Sequence, residues 1–133
     1  MKFLNGLVVF LIAALAPASA VAQAFPAKPV RLVVAFAPGG ATDTFARVTA
    51  ADMSKSLGQQ VIVENRPGGG TTIAAEYVAK SPPDGYTLLF TDLSTHAITP
   101  SIYPKLGYHP LRDFVAVAPV SSSPLIMVAH PSV

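Results

Sequence analysis

The chain has 133 residues and a formal net charge of +2, with nine basic side chains against seven acidic ones and no cysteine. That near balance argues against a nucleic-acid partner, which asks for a basic stripe. The missing cysteines exclude disulfides, thiolate metal sites and a lipidated N-terminal cysteine.

The first segment, "MKFLNGLVVFLIAALAPASAVAQA", carries Lys2 as its only charge, then an apolar run from Leu7 to Leu15, then Pro17 and small residues. This is the layout of a secretory signal. The run is short for a bilayer span, which needs about 20 residues. Both Ala20-Val21-Ala22 and Ala22-Gln23-Ala24 fit the small-residue cleavage pattern. Cleavage after Ala24 leaves an extended, proline-marked start, "FPAKPV". With no twin arginine, the general secretion route is expected. Residues 1–24 are therefore read as the signal peptide and 25–133 as the folded part.

"VRLVVAF" (Val30 to Phe36) is a β-branched run, as expected of a strand buried on both faces. After "APGG", Thr42 and Asp43 read as N-cap candidates for a helix ending near Leu57, with Gly58 as its stop. "VIVEN" (Val61 to Asn65) is the second strand and "RPGGG" its loop. A second helix starts near Thr71 or Thr72, with Ile73, Ala74, Tyr77 and Val78 on one stripe, and Pro82-Pro83 closes it. "PDG" then turns the chain into a third strand, "YTLLFT". Strand–helix–strand–helix–strand with short connections predicts an α/β fold, a Rossmann-like parallel sheet with flanking helices and right-handed crossovers. Further on, "LSTHAITPSIYPKLGYHP" reads as a short helical turn and loop. "FVAVAPV" and "PLIMVAH" read as two more strands.

In an open α/β sheet, ligands sit beyond the carboxyl ends of the strands. Three such ends fall at "APGGATD", "RPGGGTT" and "TDLSTHA". Gly39 and Gly40 leave backbone N–H groups unobstructed, and the helix behind them points its positive end at the same place. That combination receives an anion, carboxylate or phosphate alike. The second loop reads as a repeat of the first, with Gly68, Gly69 and Gly70. Enzymatic signatures are missing: no G-x-x-x-x-G-K-[ST], no G-x-G-x-x-G and no G-x-S-x-G occurs. His96, His109 and His130 lack metal-ligand spacing. Asp84 sits in a "PDG" turn, where a turn role is expected. An enzyme of small anionic substrates would have only Asp43 as a base near the first loop. No catalytic residue, metal or cofactor is expected.

Taken together, "AFPAKPVRLVVAFAPGGATDTFAR", "LGQQVIVENRPGGGTTIAAEYVAKSPPDGYTLL" and "THAITPSIYPKLGYHPLRDF" resemble the Bug family, the periplasmic solute-binding receptors of tripartite tricarboxylate transporters. The resemblance implies two Rossmann-like lobes closing on a small carboxylate, which is handed to membrane subunits of the transporter. It implies ligand-binding roles for Gly39, Gly40, Thr42 and Asp43 in the first loop and for Ser94 and Thr95 after the third strand. Gly68, Gly69 and Gly70 would be further contributors. The chain departs from the family pattern at Thr71 and Thr72, and at Asp92 and Leu93, where an extra carboxylate would repel an anion unless it points away. Family members are more than twice this length, so residues 25–133 are expected to be an incomplete first lobe. Two alternatives accompany this reading: a non-functional fragment of such a receptor, or a ligand sensor that docks on a signalling partner.

Overall fold

The computed structural model describes residues 24–122 and 126–132, so the expected signal segment falls outside the described residues apart from Ala24. Three strands, β1 (Val30–Val34), β2 (Val61–Asn65) and β3 (Thr87–Phe90), form one parallel sheet in the order β2-β1-β3. Val30 pairs with Val61 and Val34 with Asn65 on one side of β1, while Arg31 pairs with Thr87 and Val34 with Phe90 on the other. The central position of β1 matches its sequence. Val30, Leu32, Val33 and Val34 are all buried, each worth about 1.5–3 kcal/mol on leaving water.

Side chains alternate across the sheet. Leu32 and Val34 face helix α1 (Ala41–Leu57), where Ala46 and Ala50 form a small-residue inner stripe backed by Met53 and Leu57. Val33 and Ala35 face the opposite way, onto helix α2 (Thr72–Ala79) through Ala74, Tyr77 and Val78. The expected helix-on-both-faces arrangement is therefore present. Ile73 departs from the predicted stripe: it is 51% exposed, and Ala75 is buried in its place. Gly58 ends α1 in the left-handed conformation, φ 64°. Ser54 then ties the helix to the next strand, its hydroxyl donating to the Ala50 carbonyl and accepting from Val61 N–H.

Beyond β3 the chain winds through a π-helical turn (Ser94–Ile98) into helix α3 (Thr99–Ile102). Tyr108, 6% exposed, anchors the following segment by donating its hydroxyl proton to the Thr95 carbonyl at 3.0 Å. The further strands expected from "FVAVAPV" and "PLIMVAH" are not found among the described residues: 114–122 and 126–130 hold no strand, and Pro124 and Leu125 lie outside the described residues. Val115, Val117, Ile126, Met127 and Val128 are each at least 80% exposed. Apolar, β-branched composition marks what suits a strand, but a strand also needs a hydrogen-bonded neighbour, and among the described residues no strand pairs beyond β2 or β3.

Candidate functional site

Because the sheet is parallel, the carboxyl ends of all three strands share one edge, and the loops after them meet there. The first loop leaves β1 through Phe36, Ala37 and Pro38. Gly39 holds a left-handed φ of 87°, which a side chain would resist. Gly40 follows as the true N-cap of α1, extended at φ −79° and ψ 173°. Thr42 and Asp43 are thus the second and third residues of the helix, not its cap. No side chain caps the helix start. The Gly40 carbonyl accepts from Thr44 N–H at 3.0 Å, and the first N–H groups of α1 are left facing the exposed loop.

Asp43 explains why the cap moved. The residue is 3% exposed and its carboxylate is fully engaged. One oxygen accepts from Gly39 N–H at 2.9 Å and Arg47 Nε at 3.0 Å; the other accepts from Asn65 Nδ2 at 2.8 Å. The Arg47 guanidinium, the Gly39 N–H and the Asn65 carboxamide together hold the carboxyl at about 2, against the opposing pull of burial. A carboxylate so satisfied presents no free oxygen to the loop surface. Its negative charge also complements the first turn of α1.

Asn65 extends the network back to the loop. Its Nδ2 also donates to the Phe36 carbonyl at 3.0 Å, and its Oδ1 accepts from Arg47 Nη2 at 3.2 Å. Asn65 and Arg47 were not among the residues singled out from sequence. Arg47 carried a legible signal, four residues after Asp43 on one helix. Asn65 carried none, because its role depends on the pairing of β2 with β1.

The second loop differs from the first, although its glycines read as a repeat. Gly68, Gly69, Gly70 and Thr71 all have positive φ, and Thr71 at φ 79° is a β-branched residue in left-handed space. Thr71 N–H closes the turn on the Gly68 carbonyl at 3.1 Å. The α3 residue Thr99 holds it from behind, donating to the Gly70 carbonyl at 2.7 Å, with its hydroxyl 3.4 Å from that of buried Thr71. A side chain on Gly70 would meet the Tyr103 hydroxyl at 2.9 Å. The glycines here are demanded by backbone shape and packing.

In the third loop, the carboxylate of Asp92 accepts from Ser94 N–H at 2.8 Å, which turns the backbone into the π-helical turn. Ser94 is half-buried, whereas Thr95 is fully buried with its hydroxyl paired to that of Thr91. The edge therefore gathers Gly39, Gly40, Thr42 and Ser94 as accessible groups, while Asp43 and Thr95 lie beneath. The second and third loops touch through Thr99, and the first loop and β2 through Asn65.

Other candidates resolve into structural parts. Asp84 accepts from Tyr86 N–H and pairs with Lys28, the turn role expected of it. His96 contacts the Pro110 carbonyl at 3.0 Å and meets Phe114 edge-on. Among the described residues no group of three His, Cys, Asp or Glu side chains is placed to hold a metal. An open groove of about 590 Å³ lies beside α2, lined by Arg66, Ile73, Glu76, Tyr77 and Lys80. Its charges are paired, Arg66 with Glu64 and Lys80 with Glu76, and Arg66 also stacks on the Tyr77 ring at 3.7 Å.

Comparison with known proteins places this edge in context. Residues 45–133 match the family model described as the tripartite tricarboxylate transporter family receptor. The protein BugT of Bordetella pertussis is 44% identical over 117 residues, which is 87% of this chain and 35% of BugT. Among solved structures, MatC from Rhodopseudomonas palustris with bound malate aligns with a TM-score of 0.65 at 49% identity, covering 68% of this chain and 31% of MatC. A second R. palustris protein, solved with adipate, aligns at 0.63 and 44% identity over 65% of this chain and 29% of its own. The chain thus spans about a third of the length of the curated relatives it matches. With a family model matching through to Val133 and a parallel α/β sheet shared with solved relatives, the chain belongs to the tripartite tricarboxylate transporter receptor family.

Proposed function

We propose that this chain supplies one wall of a periplasmic binding site for a small carboxylate, delivered to the membrane subunits of a tripartite tricarboxylate-type transporter. Backbone N–H groups from Gly40 into the first turn of α1 at Thr42 receive one carboxylate of the ligand, while Gly39, whose own N–H is given to Asp43, shapes the loop without donating to it. The Ser94 hydroxyl adds a donor from the third loop. Asp43 and Thr95 set the shape of these loops from beneath, and Gly68, Gly69 and Gly70 form the neighbouring wall. The role is binding without catalysis. Residues 1–24 act as a signal peptide that directs export and is removed.

Gly40 is the observation that carries this reading. Its backbone is extended, open to any residue, and an added Cβ would meet only the Ala37 carbonyl, at an ordinary 3.8 Å. Backbone angle and packing do not require glycine there; beyond its modest N-cap preference, what glycine adds is an unobstructed approach to the helix N-terminus for a ligand. The malate and adipate held by the two solved relatives are carboxylates of the kind such a loop accepts.

The test is a titration of the ¹⁵N-labelled chain with malate and adipate, followed by amide chemical shifts. Shifts concentrated at Gly40, Ala41 and Thr42, and missing with the dimethyl ester of malate, are expected. No response at these amides up to about 50 mM acid, far weaker than useful uptake requires, would overturn the assignment.

A further inference from the structure

We propose that Asn65 is a positioning residue for the carboxylate loop, fixing the Phe36–Gly40 backbone in its receiving shape independently of ligand. This inference rests on the carboxylate reading above and adds to it a residue that touches no ligand. The observation is a convergence of three contacts on one carboxamide. Nδ2 donates to both the Phe36 carbonyl and the Asp43 carboxylate, and Oδ1 accepts from Arg47. Asn65 is the last residue of β2, in register with Val34, so its own backbone is held by the sheet.

The chemistry of the three partners selects the residue. Two are acceptors and one is a donor, so the side chain must offer two N–H donors and one acceptor from a short stem. Only a carboxamide does so. Aspartate offers acceptors alone and would set a second negative charge against buried Asp43. Leucine keeps the approximate volume and none of the bonds. Serine has a single O–H to give.

The consequence falls on both ends of the loop. The Phe36 carbonyl is tied directly, and the Gly39 N–H is tied through Asp43, which Asn65 holds in place. Ala37 and Pro38 are carried between two fixed points. A loop held this way loses less freedom when an anion binds, and affinity benefits accordingly.

The experiment uses the full chain, ¹⁵N-labelled, as the parent and as the Asn65→Leu and Asn65→Asp variants. Two quantities are read: amide hydrogen exchange at Gly39 compared with Leu32, Val33 and Val34 in β1, and the dissociation constant for malate from shifts at Gly40 and Thr42. In both variants Gly39 exchange should accelerate about tenfold relative to the β1 amides, and the malate dissociation constant should rise about tenfold, the worth of one hydrogen bond. Acceleration of all these amides by the same factor would assign Asn65 to general stability and overturn the proposal. So would an unchanged Gly39 rate in either folded variant. A parent chain whose Gly40 and Thr42 amides ignore malate would overturn the carboxylate reading instead. The exchange comparison would still decide whether Asn65 fixes the loop.

Discussion

A Gly40→Val substitution places a β-branched side chain at the mouth of the first loop, where fold and ligand make different demands. Valine is a poorer N-cap than glycine and costs about 1 kcal/mol there. Against this, removing glycine's freedom in the unfolded chain returns about 0.4–1 kcal/mol at a compatible backbone angle. The observed φ of −79° is compatible, and the nearest atom to an added Cβ is 3.8 Å away, so the two terms nearly cancel. The ligand has no such compensation. Losing one hydrogen bond to a charged carboxylate costs about 1.5–3 kcal/mol, which is about ten- to more than a hundredfold in affinity. The assay is calorimetric titration with a panel of di- and tricarboxylates. It uses a chimera in which residues 25–132 of this chain replace the segment of BugT that they match, because enclosure by the remaining length raises a weak half-site affinity into the range that calorimetry reads. Circular dichroism and urea unfolding first establish that the variant folds like the parent. A folded Gly40→Val chimera that binds the same acid as tightly as the parent refutes the reasoning, and the loop is then a turn and nothing more.

Acid stability should report on Asp43. Its folded-state carboxyl lies at about 2, below the ordinary 3.8, so it contributes stability above about pH 4 that is lost as pH falls toward 2. The Asp43→Asn chain, followed by near-UV circular dichroism, should lose less stability than the parent over that window; equal losses would contradict the network. Gly70→Ala should lower stability by about 1–3 kcal/mol in urea, since φ 58° disfavours any side chain and the Tyr103 hydroxyl stands 2.9 Å from the new methyl. An unaffected midpoint would mean that the left-handed turn can relax. Protein recovered from the periplasm should begin at Phe25, or else at Gln23, by N-terminal sequencing. Full-length chain found only in the cytoplasm would refute the signal assignment.

Much of the sheet was legible in sequence because its signals are local. The β-branched runs at Val30 and Val61 and the glycine stop at Gly58 each act through one stretch of backbone, and each lies where expected. The site was less legible because its decisive bonds cross between elements. Thr42 and Asp43 have the chemistry of N-caps, yet Asp43 is drawn inside by Arg47 and by Asn65, 22 residues away. The three glycines after Pro67 read like those after Pro38. Only Thr99, brought in from α3, and Tyr103 just after it make the second loop a closed left-handed turn. The apolar runs after Phe114 show the same limit, since composition names a strand but not its partner.

That last stretch is also the least packed part of the described residues. Phe114 is half-buried, its ring edge-on to His96 at 5.2 Å and to Tyr108 at 5.7 Å. Among the described residues from Val115 onward, the side chains stand in solvent on a backbone without regular structure. A protease needs an accessible chain that can extend through its cleft, and this segment offers one, while the sheet and its helices do not. Limited digestion is therefore expected to trim the molecule back toward Phe114 and leave the three loops intact, and a first cut inside the sheet or its helices would contradict this. That aromatic anchor is where cleavage is expected to stop, because the rings of His96 and Tyr108 hold Phe114 against the fold.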